Sequence, residues 1–266
     1  MKEAVGSILD FAPRKLIRPG LVLLLTQDAE QLGCAAAEVV AKQLLAKPTS
    51  VLALPTGRTP IGMYRFLAEM CRQGQISFHS ATTFNLDEFV GLEPSHPGSY
   101  HTYMRRHLLD HVDADPARVH IPAGDAPCLD CECDRYESEI SRAGGLDLAV
   151  LGIGENGHIG FNEPGSPLDS RTRVVALTPS SRAANAHLFA CPEDVPQQAI
   201  TMGVGTILEA RRLLLLANGP AKADALYRAL HGPIASASPA SAIQLHPNVV
   251  VIADTTAAAR LPEIAT

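Results

Sequence analysis

Short apolar runs recur along this chain with helix-length segments between them, and that alternation limits the fold more than any other feature. Leu21 to Leu25, Val51 to Leu54, Ala81 to Leu86, Leu146 to Leu151, Arg212 to Ala217 and Val249 to Ala253 read as strands, with shorter ones near Val119 and over Thr172 to Leu177. Helical spacing covers Asp28 to Ala46, Pro60 to about Gln73, Ser99 to His111, Asp130 to Arg142, Ser180 to Phe189, Met202 to Arg211 and Ala221 to Leu230. Strands that are apolar throughout must be covered on both faces, and strands alternating with helices become parallel neighbours. The expected fold is α/β: three αβα layers around a Rossmann-like, doubly wound, largely parallel sheet. Residues 21–266 read as one such domain behind an N-terminal extension, 1–20.

Composition narrows the function classes. No apolar run is long enough to span a bilayer, and Lys2, Glu3, Asp10, Arg14, Lys15 and Arg18 leave no apolar segment resembling a secretory signal. The chain is therefore expected in the cytoplasm, without membrane contact. A net charge of −6 with no basic stripe argues against nucleic acid and for a small-molecule partner. Cys128, Cys131 and Cys133 are spaced like part of a metal site, but no second Cys/His pair accompanies them. They read as reduced thiols at the start of an acidic helix, and no metal is expected.

In a doubly wound sheet, ligands sit beyond the carboxyl ends of the strands, so the loops there carry the functional information. The richest is Leu151-Gly-Ile-Gly-Glu-Asn-Gly-His-Ile-Gly-Phe-Asn-Glu-Pro164, which follows an apolar strand. His158 and Glu163 can lie side by side in it, the carboxylate orienting an imidazole able to move protons near neutral pH. Gly152-x-Gly154-x-x-Gly157 mimics a dinucleotide fingerprint, but Phe161-Asn-Glu-Pro164 stops any long helix and no acidic strand end follows at the required distance.

Three further loops stand out. Leu54-Pro-Thr-Gly-Arg-Thr-Pro60 offers the hydroxyls of Thr56 and Thr59, a flexible Gly57, the charge of Arg58 and free amides at a helix start. It reads as a phosphate cradle with Thr59 as the helix cap; an ordinary capped turn accounts for the same residues. It lacks the Gly-Lys-Ser/Thr ending of a nucleotide loop. Phe84-Asn-Leu-Asp-Glu-Phe89 holds two adjacent carboxylates, of which alternation sends only one to a pocket while the other anchors the loop. Lys222, beginning a helix after Leu216-Ala-Asn-Gly-Pro-Ala, has the wrong sign for the helix dipole unless an anion is shared there.

Taken in order, these segments, with Ser99-Tyr100, Ser170-Arg-Thr-Arg173, Thr201-Met-Gly-Val-Gly205 and Gln244-Leu-His-Pro247, resemble the glucosamine-6-phosphate deaminase family over roughly Leu21 to Asp254. That family shares a superfamily with 6-phosphogluconolactonases. The resemblance implies aldose-to-ketose isomerisation with loss of ammonia: glucosamine 6-phosphate and water give fructose 6-phosphate and ammonia, without a cofactor. It assigns ring opening to His158, tuned by Glu163 and Asn156, and proton transfer between C2 and C1 to Asp87.

The resemblance also implies that Thr56, Gly57, Arg58, Thr59 and Lys222 bind the sugar phosphate. Asn156 stands where some members carry aspartate. His187 stands where well-studied members place a phosphate-binding arginine; either Arg182 or Arg58 compensates here, or His187 makes phosphate binding weaken as pH rises, or the substrate differs. Allosteric members bind N-acetylglucosamine 6-phosphate near Ser-Arg-Thr-Arg and through a C-terminal extension. Arg173 persists, but Val175 and Ala176 replace a lysine and a threonine, and the chain ends soon after Ala253. A monomer or small homo-oligomer without allosteric activation is expected. Galactosamine-6-phosphate deaminase, 6-phosphogluconolactonase and a non-catalytic sugar-phosphate sensor are the competing readings.

Overall fold

The computed structural model describes residues 13–264. In chain order its first half runs β1 (Arg14–Arg18), β2 (Leu21–Thr26), α1 (Ala29–Ala46), β3 (Val51–Leu54), α2 (Ile61–Arg72), β4 (Thr82–Asn85), β5 (Asp87–Phe89), α3 (Tyr100–His107), β6 (Val119–His120) and α4 (Leu129–Arg142). The second half runs β7 (Leu148–Gly152), β8 (Arg173–Ala176), α5 (Pro179–Asn185), β9 (Gln198–Thr201), α6 (Val204–Leu208), β10 (Leu213–Ala217), α7 (Ala223–His231) and β11 (Val249–Asp254). Eight strands form the main sheet in the order β1-β2-β11-β10-β7-β3-β4-β6. Only β1 is antiparallel to its neighbour. Of the expected extension 1–20, residues 1–12 lie outside the described residues, and Arg14–Arg18 is the edge strand β1.

Period-two alternation sorts the core into two layers. Leu214 and Leu216 of β10 pack with Leu32, Val40, Met63 and Leu67 of α1 and α2, while Leu213 and Leu215 pack with Tyr136, Ile140, Leu226 and Leu230 of α4 and α7. All five residues of β10 and all six of β11 are buried, as a sheet covered on both faces requires. The described residues thus form the expected three-layer αβα fold.

A second, antiparallel sheet, β5-β9-β8, stands beside the first. Thr201 of β9 is opposite Asp87 on one side and Arg173 on the other. The strand expected over Thr172 to Leu177 belongs to this small sheet. The helix expected over Ser180 to Phe189 ends at Asn185 and tightens into a 3-10 turn, Ala186–Leu188; that expected over Met202 to Arg211 is helical only at Val204–Leu208.

The cysteine reading needs correction. Cys128 and Cys131 are joined as a disulfide, because the start of α4 brings their Cα atoms to 5.3 Å, within the span such a bond bridges. Cys133 is free and buried.

The two carboxylates after β4 point to opposite sides. Glu88 is 1% exposed. It accepts hydrogen bonds from the backbone amides of Phe89 (2.7 Å), Tyr100 (2.9 Å) and His101 (3.1 Å), and His101 Nδ1 lies 3.0 Å away. An anion at the open amides of a helix start is favoured there, so Glu88 fixes α3 to β5. Glu88→Ala strands these amides and is expected to lower the unfolding free energy by about 3 kcal/mol or more, measured by urea denaturation.

Candidate active site

The chain leaves β3 towards β4 but leaves β7 towards β10, and β3 and β7 are neighbours in the sheet. Loops turning opposite ways from adjacent strands open a crevice, and a cavity of about 580 Å³ lies there. Its walls include Thr56 to Pro60 after β3, Asp87, Tyr100, Gly152 to Asn156 and His158 after β7, Ser180, Ser181 and Asn185 of α5, and Lys222.

The loop after β7 folds back on itself through Gly154 N–H to His158 O (2.9 Å) and Gly157 N–H to Gly154 O (3.0 Å). This lays the His158 ring flat on Gly154. A Cβ at Gly154 would fall within 2.4 Å of three ring atoms, so no other residue fits beneath the imidazole. Nδ1 of His158 is sealed from solvent and faces Glu163 Oε1 at 3.4 Å, which turns Nε2 toward the cavity.

Glu163 is held from several sides. Asn156 Nδ2 donates to it at 2.6 Å, Thr178 Oγ1 at 3.3 Å, and Ser181 Oγ also donates. Burial pushes its carboxyl up, but the facing His158 ring and the hydrogen bonds from Ser181 and Asn156 outweigh it and bring the pKa down to about 2. Thr178 caps α5, so the carboxylate also sits at the positive end of that helix. Glu163 is therefore an anion at every working pH.

Asp87 is the opposite case. It is 5% exposed. Burial first, and the neighbouring Glu88 charge second, raise its pKa to about 8, against a lowering contact from Thr56. Its Oδ1 is 3.5 Å from Thr56 Oγ1. Gly160 brings the histidine loop close: a Cβ there would lie 3.3 Å from Asp87 Oδ2 and 3.0 Å from Thr201 Oγ1. One carboxyl that holds its proton near neutrality and one that never does suit a site with separate acid–base tasks.

The cations complete the cavity. Arg58 and Lys222 both line it, and neither has an ion-pair partner among the described residues. Burial lowers the Lys222 pKa, with Glu155 opposing. Lys222 closes a short 3-10 turn, Pro220–Lys222, just before α7. Thr59 does not cap α2. Pro60 takes that position with a helical backbone (φ −78°, ψ −6°), and its ring carries no acceptor for the first amides, so no side chain caps the helix.

Arg182 and His187 are not brought into the cavity. The Arg182 guanidinium donates to Val195 O at 3.1 and 3.3 Å, tying α5 to the segment that leads into β9. His187 is exposed, its Nδ1 3.0 Å from Ala184 O. Conversely, Tyr100, Ser181 and Asn185 line the cavity without having been singled out as site residues. Thr178-Pro179, a cap followed by a first-turn proline, is the sequence signal that marks the wall carrying Ser181 and Asn185. Among the described residues no group of three His, Cys, Asp or Glu side chains is arranged to hold a metal, and no helix is long and apolar enough to cross a membrane.

Comparison with known proteins gives the family. A family model described as glucosamine-6-phosphate isomerases/6-phosphogluconolactonase matches residues 26–252. The chain is 51% identical to a glucosamine-6-phosphate deaminase of Rhodopirellula baltica, over 88% of this chain and 93% of that one. It is 46% identical to one of Thermoanaerobacter pseudethanolicus, over 91% and 95%. A solved structure of a monomeric glucosamine-6-phosphate deaminase superposes with a TM-score of 0.87 at 45% identity, covering 90% of this chain and 99% of that one. A 6-phosphogluconolactonase of Thermotoga maritima shares the fold, with a TM-score of 0.70 at 21% identity, covering 88% and 99%. This chain belongs to the glucosamine-6-phosphate isomerase/6-phosphogluconolactonase family.

Proposed function

We propose that the protein is a glucosamine-6-phosphate deaminase, which converts glucosamine 6-phosphate and water to fructose 6-phosphate and ammonia. The observation that carries this reading is the placement of Asp87 and His158 on one cavity with two cations, Arg58 and Lys222, that have no ion-pair partner among the described residues. The extent of identity to deaminases favours this activity over that of the lactonases, which share the fold.

In this reading the phosphate rests on the amides of the Thr56–Thr59 loop, the Arg58 guanidinium and the Lys222 ammonium. The structure gives Arg182 and His187 other contacts, and they are left out of phosphate binding. With the phosphate fixed, His158 Nε2 moves a proton between the ring oxygen and the C1 hydroxyl to open the pyranose. Glu163 stabilises the imidazolium that forms, and Asn156 holds Glu163 in place. Asp87, as carboxylate, then removes the C2 proton and delivers a proton at C1; water adds to the resulting C2 iminium and ammonia leaves. Each positioned acid or base contributes about 10²- to 10⁴-fold.

The chain acts in this proposal as a monomer or small homo-oligomer in the cytoplasm, in keeping with a structural relative described as monomeric. Arg173 donates to Asn162 Oδ1 at 2.8 Å, so the arginine that would meet an effector is engaged within the fold.

Two outcomes test the assignment. Incubated separately with glucosamine 6-phosphate, galactosamine 6-phosphate and 6-phosphogluconolactone, the protein is expected to release ammonia fastest from the first; acid release from the lactone alone would overturn the reading. Asp87→Asn is expected to abolish ammonia release yet stabilise the fold in alkali. The sign follows from the raised pKa. Between the unfolded value near 3.8 and the folded value near 8 the native state holds a proton that the unfolded chain has lost, so wild-type stability falls as pH rises through that window. Asparagine has no such loss. Urea denaturation at pH 5 and pH 9 should show the advantage of the variant growing; a difference independent of pH would contradict the account.

A further inference from the structure

The loop between β3 and α2 is held from outside the cavity by two phenols. Tyr64 of α2, fully buried, donates through its hydroxyl to Pro55 O at 2.5 Å. Tyr103 of α3, 9% exposed, donates to Gly57 O at 2.5 Å. No peptide bond in the described chain is cis. In a trans peptide the carbonyl and the following N–H point in opposite directions. Fixing the Pro55 and Gly57 carbonyls toward the tyrosines therefore turns the Thr56 and Arg58 amides the other way, toward the cavity their residues line. Among the described residues neither amide meets a protein acceptor. Gly57 takes φ +91°, a left-handed backbone that side-chain-bearing residues rarely adopt, and a Cβ built on it would meet nothing within 4 Å.

We infer that Tyr64 and Tyr103 are positioning residues that set the anion-binding face of this loop, holding two carbonyl oxygens out of the phosphate site and two N–H donors in it. The inference rests on the proposed phosphate role of the loop. A flip of either peptide would replace a donor with a carbonyl oxygen, which repels an oxyanion. Burial pushes both hydroxyls above the usual tyrosine range, so they remain donors at all working pH values. The two locks come from different helices. Tyr103 reaches the loop from α3, which Glu88 fixes to β5, so the base strand and the phosphate loop share one support.

Tyr103→Phe removes one oxygen and keeps the ring beside Tyr100 and His107. It is expected to raise KM for glucosamine 6-phosphate about tenfold while kcat changes less than about threefold, the pattern of lost uniform binding. Binding of inorganic phosphate, followed by calorimetry on wild type and variant, is expected to weaken by a similar factor and needs no turnover. Failure of the enzyme assignment alone would leave that phosphate difference intact. Unchanged phosphate affinity in Tyr103→Phe, absence of phosphate binding by the wild type, or equal losses in kcat and kcat/KM with a lowered Tm would each overturn the inference. Tyr64→Phe, checked for folding by circular dichroism, should show the same split between KM and kcat.

Discussion

The structure turns on the two-residue alternation of β5. Because neighbours in an extended strand face opposite ways, Asp87 meets the cavity while Glu88 enters the start of α3. Glu88 can be buried because backbone amides and His101 satisfy its carboxyl oxygens. Among the described residues only Thr56 donates to Asp87, and the charge behind it adds to the cost of ionising it. A one-residue slip in the register with β9 would exchange the two, placing the hydrogen-bonded carboxylate in the cavity and the unsatisfied one against α3. The small sheet β5-β9-β8 is what prevents the slip.

The site then divides along the same logic. On the β7 side, Glu163 collects donors from Asn156, Ser181 and Thr178 and remains charged, so the His158 ring has a permanent anion behind it and a glycine beneath it. On the β5 side the carboxyl is starved of donors and holds its proton to about pH 8. Opposite environments for two carboxyls within one cavity separate a proton-shuttling ring from a base that ionises only reluctantly. Between them, Arg58 and Lys222 supply positive charge that no ion pair among the described residues takes up, and a bound phosphate would supply an anion for both.

Much of this was legible in the sequence, for identifiable reasons. Fully apolar runs such as Leu213–Ala217 and Val249–Asp254 announce buried parallel strands, and the loops after such strands are where a doubly wound sheet binds ligands. That only one of Asp87 and Glu88 reaches the cavity follows from the alternation of an extended chain; which of them does so came from the family resemblance. What escaped depends on tertiary reach. Strands β5 and β9 have three and four residues, too few to show a pattern. Arg182 is drawn to Val195 O, thirteen residues on, and His187 falls in the 3-10 turn after the helix ends at Asn185, neither of which spacing reveals. Tyr64 and Tyr103 look like ordinary core aromatics until the loop they hold is seen. The disulfide between Cys128 and Cys131 depends on how tightly α4 begins.

The central claim is that burial beside Glu88 keeps Asp87 protonated near neutrality, poised to become the base once a cation or the substrate approaches. Site-resolved carbon NMR of the Asp87 carboxyl, titrated in the free protein and identified by its loss in Asp87→Asn, measures this directly. A midpoint of about 8 is expected; a midpoint in the ordinary aspartate range, near 4, would contradict the account.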